Sequence, residues 1–249
     1  MKRCAKWSSV VILLWMLTSS PQFLNAQTNL CRAYAQSGQF GEALSACEKA
    51  LEINPTSAQV LYDLGWIQLQ LSRYEDAKKT FQRVLALDPT SAVAHHDMGA
   101  TYAMLNRMRE AVQSELTAMQ LRGEYMEGWR SLGLYYNELH SYRQSIDALE
   151  RALRLAPDDS VTLCGLAVAH AGLRHYERAI KVAEKASQLN PALGSAQFNL
   201  ALLYLITGQQ RDAFEARREL ERLDQNLADK LARLVRRQLV INVNNPDQQ

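Results

Sequence analysis

Between Ala58 and Gln70 the apolar residues Val60, Leu61, Leu64 and Ile67, with Leu71 just beyond, recur at three- and four-residue spacing. That is the period of a helix with one buried stripe. Ala77, Phe81, Val84 and Leu85 repeat the pattern, so a second helix is predicted. Asp88-Pro89 ends it, because a residue before proline is pushed out of the helical region and proline has no amide hydrogen. The break at Leu71-Ser72-Arg73 is short enough that the two helices must lie antiparallel.

The same hairpin returns along the chain at a fixed period. Ala43, Ala77, Ala111, Ala179 and Ala213 share one column, with Ser145 in the remaining place. Gly65, Gly99 and Gly133 share a second, begun by Cys31 and continued by Ala167 and Ala201. Tyr34, Tyr102, Tyr136 and Tyr204 form a third, and Pro55, Pro89, Pro157 and Pro191 a fourth. A constant period, here about 34 residues, marks stacked units that lean on their neighbours. If residues at equal distance from the turn face each other, Gly65 faces Ala77 and the small columns mark a close helix crossing. The same rule pairs His95 with Glu115, two polar residues that replace apolar ones in repeat three. They form a candidate polar, pH-sensitive joint.

Trp129, Leu132, Gly133, Tyr136, Ser145, Leu149, Ala152 and Pro157, like Leu61, Leu64, Gly65, Ala77, Phe81, Val84 and Pro89, stand in the columns of a known motif. The chain resembles the tetratricopeptide repeat family. The resemblance implies an all-α fold, a right-handed superhelical solenoid of antiparallel helix pairs. Six repeats are expected at about 24–57, 58–91, 92–125, 126–159, 160–193 and 194–227. Leu227, Leu231, Leu234 and Val235 form a further apolar stripe, read as a capping helix over 227–241. The polar stretch 242–249 is read as a disordered tail.

The first 26 residues stand apart from the repeats. Lys2, Arg3 and Lys6 precede an apolar run from Val10 to Leu17, and Ala26 precedes a polar residue, the pattern of a secretory signal peptide over 1–26. An uncleaved anchor over residues 7–17 is the alternative, and would be the one membrane contact. The chain has 28 basic and 26 acidic residues; three basic and no acidic ones lie in this segment, so the remainder has 25 and 26, net −1. The apparent basic character belongs to the leader, and nucleic acid is not an expected partner. An exported protein is expected, periplasmic or secreted. In an oxidising compartment Cys31 and Cys47 could bridge. The facing rule sets them about one helical turn out of line, so packed free thiols are the preferred reading.

Neither a His-Glu-x-x-His, a glycine-rich phosphate loop nor a Gly-x-Ser-x-Gly occurs. No catalytic residue, cofactor or metal site is expected. His95, His96 and Glu115 are the residues a metal-dependent enzyme would have to use. The family resemblance instead implies a concave face, lined by the first helix of each repeat, that receives another protein or peptide. On it stand Tyr62, Trp66, His96, Arg130, Leu134 and Asn137. A lysine/asparagine clamp for a terminal carboxylate is absent, with Tyr62, Asp63 and Trp66 in its places. The expected function is a non-enzymatic protein–protein interaction scaffold of the cell envelope. The alternative is an assembly chaperone that holds unfolded envelope proteins or peptides.

Overall fold

The structure, a computed structural model, describes the backbone of residues 21–244 and the side chains of residues 25–236. The described residues form thirteen α-helices. They are α1 (Pro21–Gln36), α2 (Phe40–Ile53), α3 (Ala58–Gln70), α4 (Tyr74–Leu87), α5 (Ala92–Met104), α6 (Met108–Arg122) and α7 (Met126–Glu138). There follow α8 (Tyr142–Leu155), α9 (Ser160–Gly172), α10 (Tyr176–Leu189), α11 (Gly194–Ile206), α12 (Gln210–Leu223) and α13 (Gln225–Asn244). The protein is all-α, built from antiparallel helix pairs. The chain divides into two compact units at Gly123/Glu124, with three pairs in the first and three pairs plus α13 in the second.

The sequence period is written into the backbone as well as the side chains. Gly38, Ser72, Asn106, His140, Arg174 and Gly208 all have φ between 56° and 78° and stand one period apart, one at each hairpin turn. Each closes the preceding helix. In repeat two the amide of Arg73 donates to Gln68 O at 2.8 Å and that of Ser72 to Leu69 O at 3.0 Å. This pattern meets carbonyls that the helix end would leave orphaned. The second helix of a pair ends instead at an extended residue, Asn54, Asp88, Ala156 or Asn190, each before proline. In repeat three Gly123, with φ of 89°, stands in the proline's place. Ser57, Ser91 and Asp159 start the next helices by accepting from the amides of Val60, Ala94 and Thr162.

In the first unit, Cys31, Ala43, Ala46, Cys47, Val60, Leu64 and Ile67 form one buried cluster, and Ala77, Phe81 and Met98 another. In the second unit, Leu200, Leu203, Leu220 and Leu231 gather with Ala167, Ala183 and Ala228. Each fully buried leucine stabilises the stack by about 1.5–3 kcal/mol. Helix α13 packs on α11 and α12, burying Ala228 and Leu231. It covers part of the apolar face of α11: Phe198 and Leu202 join this cluster and Lys230 Nζ lies 5.6 Å from the Phe198 ring centre, while Leu205 stays 40% exposed.

Three expectations need revision. The glycine column does approach the alanine column through the backbone, as shown by Ser145 Oγ donating to Gly133 O at 2.8 Å. A Cβ on Gly65, however, would point at Phe81, 2.9 Å from its ring, and one on Gly133 would fall 2.4 Å from Leu149 Cγ. Cα–Cβ bonds tilt toward a helix's N-terminus. In an antiparallel pair that end lies beside the C-terminal half of the partner, so the side-chain partner is one helical turn later than the turn-centred rule predicts. Cys31 and Cys47 occupy this same pair of positions in repeat one. They are joined by a disulfide, with Cα atoms 5.1 Å apart, and are not free thiols. Cys164 is free and buried. Glu115, too, has a different partner: His96, not His95. As for the chain ends, residues 1–20 of the expected signal segment lie outside the described residues, and the expected cleavage after Ala26 falls within α1. Helix α13 runs to Asn244, into the stretch read as a tail, and 245–249 lie outside the described residues.

Candidate functional site

In the first unit, α1 and α3 bound a cavity of about 260 Å³ lined by Arg32, Ala35, Gln36, Tyr62, Asp63 and Trp66. The helical period puts Trp66 one turn on from Tyr62 and Asp63, on the same side of α3, while Leu61 and Leu64 turn inward. The Trp66 indole is half-buried and meets Phe40 edge to face, centroids 5.8 Å apart. Arg32 bonds Asp63 across the cavity at 3.2 Å, and Gln59 Nε2 donates to the same carboxylate at 3.0 Å. A wall of Tyr, Trp and Ala with one ion pair at the rim offers an aromatic anchor point with polar groups to fix orientation. Arg32, Ala35 and Gln36 are absent from the sequence expectation, yet the period held the signal. Arg32 stands one period before Trp66, and Ala35 one period before Leu69.

Tyr62 is also tied inward. Its hydroxyl donates to Asp97 Oδ2 at 2.6 Å and its ring packs on Phe81 at 6.0 Å. Burial, then the Asp97 charge and hydrogen bond, push the phenol above its ordinary range. Burial likewise raises the Asp97 carboxyl above the usual aspartate value, despite the Tyr62 hydrogen bond and the nearby His96 working against it; Glu115 adds to the rise.

His96 Nδ1 lies 2.8 Å from Glu115 Oε2, with Glu115 wholly buried and the His96 side chain 30% exposed. The pair repeats in polar form the Tyr62–Phe81 contact of the preceding repeat, and the bare Gly99 beside it leaves the Glu115 carboxyl its room. His95 turns away: its Nε2 donates to Pro89 O at 3.1 Å. The three residues a metal-dependent enzyme would need therefore do not converge, and among the described residues no group of three His, Cys, Asp or Glu is placed to hold a metal ion.

In the second unit, Arg130, Leu134 and Asn137 lie along α7 toward α9. Arg130 Nη1 reaches Asp159 Oδ2 at 3.4 Å, and Asp159 accepts from the Thr162 amide at 2.9 Å as the cap of α9. Burial would raise the Asp159 carboxyl, but the Thr162 hydrogen bonds and the Arg130 charge lower it on balance. A Cβ on Gly165 would lie 2.9 Å from Leu134, and Asn137 Nδ2 donates to Gly165 O at 2.8 Å. Leu134 and Asn137 thus hold the α7–α9 seam. Asn137 Oδ1 is buried with no hydrogen-bond partner.

Family models described as tetratricopeptide repeat match residues 34–95, 128–159 and 161–193. No curated protein sequence matches the chain. Among solved structures, the chain is similar to PilW, described as a widely conserved type IV pilus biogenesis factor. The TM-score is 0.75 at 18% identity, over 87% of this chain and all of that one. Pseudomonas aeruginosa PilF gives 0.68 at 22% identity, covering 84% of this chain and 96% of that one. YrrB, described as a TPR protein with an unusual peptide-binding site, gives 0.57 at 20% identity, covering 77% of this chain and 100% of that one. At these identities the likeness is one of fold.

Proposed function

Because the chain belongs to the tetratricopeptide repeat family, we propose that it is a non-enzymatic scaffold that grips a segment of another protein at the α1/α3 cavity, in the cell envelope or outside the cell. The observation that carries this reading is the cavity itself. It sets the Tyr62 and Trp66 rings and the Arg32–Asp63 pair on two packed helices, open to solvent beside a buried core. A large side chain entering between the rings would bury apolar surface at about 25 cal/mol per Å². The rim pair would meet the polar backbone of the guest. In the second unit, Arg130 on α7 keeps 28% side-chain exposure for a partner, while Leu134 and Asn137 hold the α7–α9 seam beside it.

Two observations support export. Residues 1–26 carry the pattern of a secretory leader. The Cys31–Cys47 disulfide suits an oxidising compartment. No described helix is long and apolar enough to cross a membrane. A second reading, transient holding of unfolded chains, is favoured by the exposed apolar residues Leu205, Ile206 and Phe214 at the end of the second unit. Cross-linking in native cells, with the wild type beside a Trp66→Ala, Arg130→Ala variant, tests the site. One saturable partner lost from the variant supports the scaffold. Equal recovery from both removes the site, and a broad set of unfolded clients supports the second reading.

A further inference from the structure

In repeat two the place where side chains meet between paired helices is filled by Gly65 and Phe81, and in repeat four by Gly133 and Leu149. Repeat one has Cys31 and Cys47 in those positions, both wholly buried and covalently joined. Neither is large, so the volume a phenylalanine would fill is replaced by a bond. Among the described side chains of α1, only Tyr34 and Ala35 join Cys31 against the buried cluster. From Asn25 to Gln36 only Cys31 is buried, Tyr34 and Ala35 are half-buried, and Leu30 and Arg32 are exposed. Helix α3, by comparison, buries six residues. Yet α1 supplies Arg32, Ala35 and Gln36, half the lining of the cavity.

We propose that the Cys31–Cys47 disulfide holds α1 in place, so that the α1/α3 cavity is complete only in the oxidised protein. This regulation rests on the reading of that cavity as the partner site. A dithiol supplies the reduction. Its thiolate attacks one sulfur to form a mixed disulfide, and its second thiol then resolves it. Two electrons and two protons pass to the cysteines and the reductant leaves as a disulfide. Exchange with a disulfide oxidant runs the reverse course. Because both sulfurs are buried, α1 must lift before either can be attacked, which keeps the oxidised site intact against casual reduction.

Amide hydrogen exchange on the full chain tests this without any partner. Closing a loop of about 16 residues is worth roughly a hundredfold in the folded population of the hairpin. Amides of α1 should therefore exchange about 100-fold faster with dithiothreitol, or in Cys31→Ala/Cys47→Ala, while α9 is unchanged. Cys31→Gly/Cys47→Phe, which installs the repeat-two pair, should keep α1 protected with or without the dithiol. With Trp7, Trp15 and Trp129 replaced by Phe, acrylamide should quench Trp66 more strongly after reduction. Equal exchange of α1 in oxidised and reduced wild type overturns the proposal. So does a Gly/Phe variant as loose as the Ala/Ala one, or Trp66 quenching that ignores reduction. Failure of the oxidised cavity to take any partner would refute the docking reading and leave these results standing.

Discussion

Replacing His96 by Tyr and Glu115 by Phe converts the polar contact of repeat three into the Tyr62–Phe81 contact of repeat two. The structure fixes the size of the effect. Glu115 is wholly buried and the imidazole is 2.8 Å away, 30% exposed. Removing one partner of a buried pair costs about 3–5 kcal/mol, and the water reaching His96 puts this pair at the low end. His96→Tyr alone should therefore cost about 3 kcal/mol, since a buried carboxylate loses its imidazole. Glu115→Phe alone should cost within about 1 kcal/mol, because it removes the desolvated carboxylate and leaves a histidine that water still reaches. The double variant should lie within about 1 kcal/mol of wild type. Urea unfolding at pH 7, followed by circular dichroism, gives the three differences and a coupling energy of about 2 kcal/mol or more. If the two changes add within about 0.5 kcal/mol, the side chains do not act as a pair and the reasoning is refuted.

Arg174 holds φ of 61° at its turn, where Gly38 and Gly208 serve in repeats one and six. Arg174→Gly should raise stability by about 1 kcal/mol in urea unfolding, because only glycine adopts this region without a Cβ penalty. Gly133→Ala sets a methyl against Leu149 and should destabilise by about 1–3 kcal/mol, with Gly38→Ala as the contrast in which only the turn is strained. Asp97 has its folded-state affinity for a proton raised by burial. Its contribution to stability is therefore full below the ordinary aspartate value near 4 and is lost as pH rises through the raised value. Asp97→Asn keeps an acceptor for Tyr62, so its stability relative to wild type should grow between about pH 4 and pH 7. A constant difference across that range would show that Tyr62 and His96 already compensate the charge.

The hairpins were legible in the sequence because the repeated columns record burial and turns together. Phe81, Val84 and Leu61 are all buried as the period requires. Which side chains meet was not legible from spacing alone. Distance from the turn places Cα atoms, but the tilt of Cβ decides contacts, and it moves the partner of Gly65 from Ala77 to Phe81. That one turn accounts for the disulfide at Cys31–Cys47, and adjacent residues pointing about 100° apart account for His96 in place of His95. The six candidate contact residues looked alike in pattern. The packing of the helices separates Trp66, which faces a cavity, from Asn137, which commits its amide to Gly165 O. The α1 wall was missed because two of its three lining residues, Arg32 and Gln36, are polar and give no apolar signal, although Arg32 and Ala35 were already in phase.

A photoreactive benzoylphenylalanine placed in turn at Trp66 and at Gln82, an exposed position of α4 on the opposite helix layer, tests the partner site most directly in living cells. A discrete adduct from position 66 that is absent from position 82 is the predicted result. Adducts of equal yield from both positions, or from position 82 alone, would contradict it.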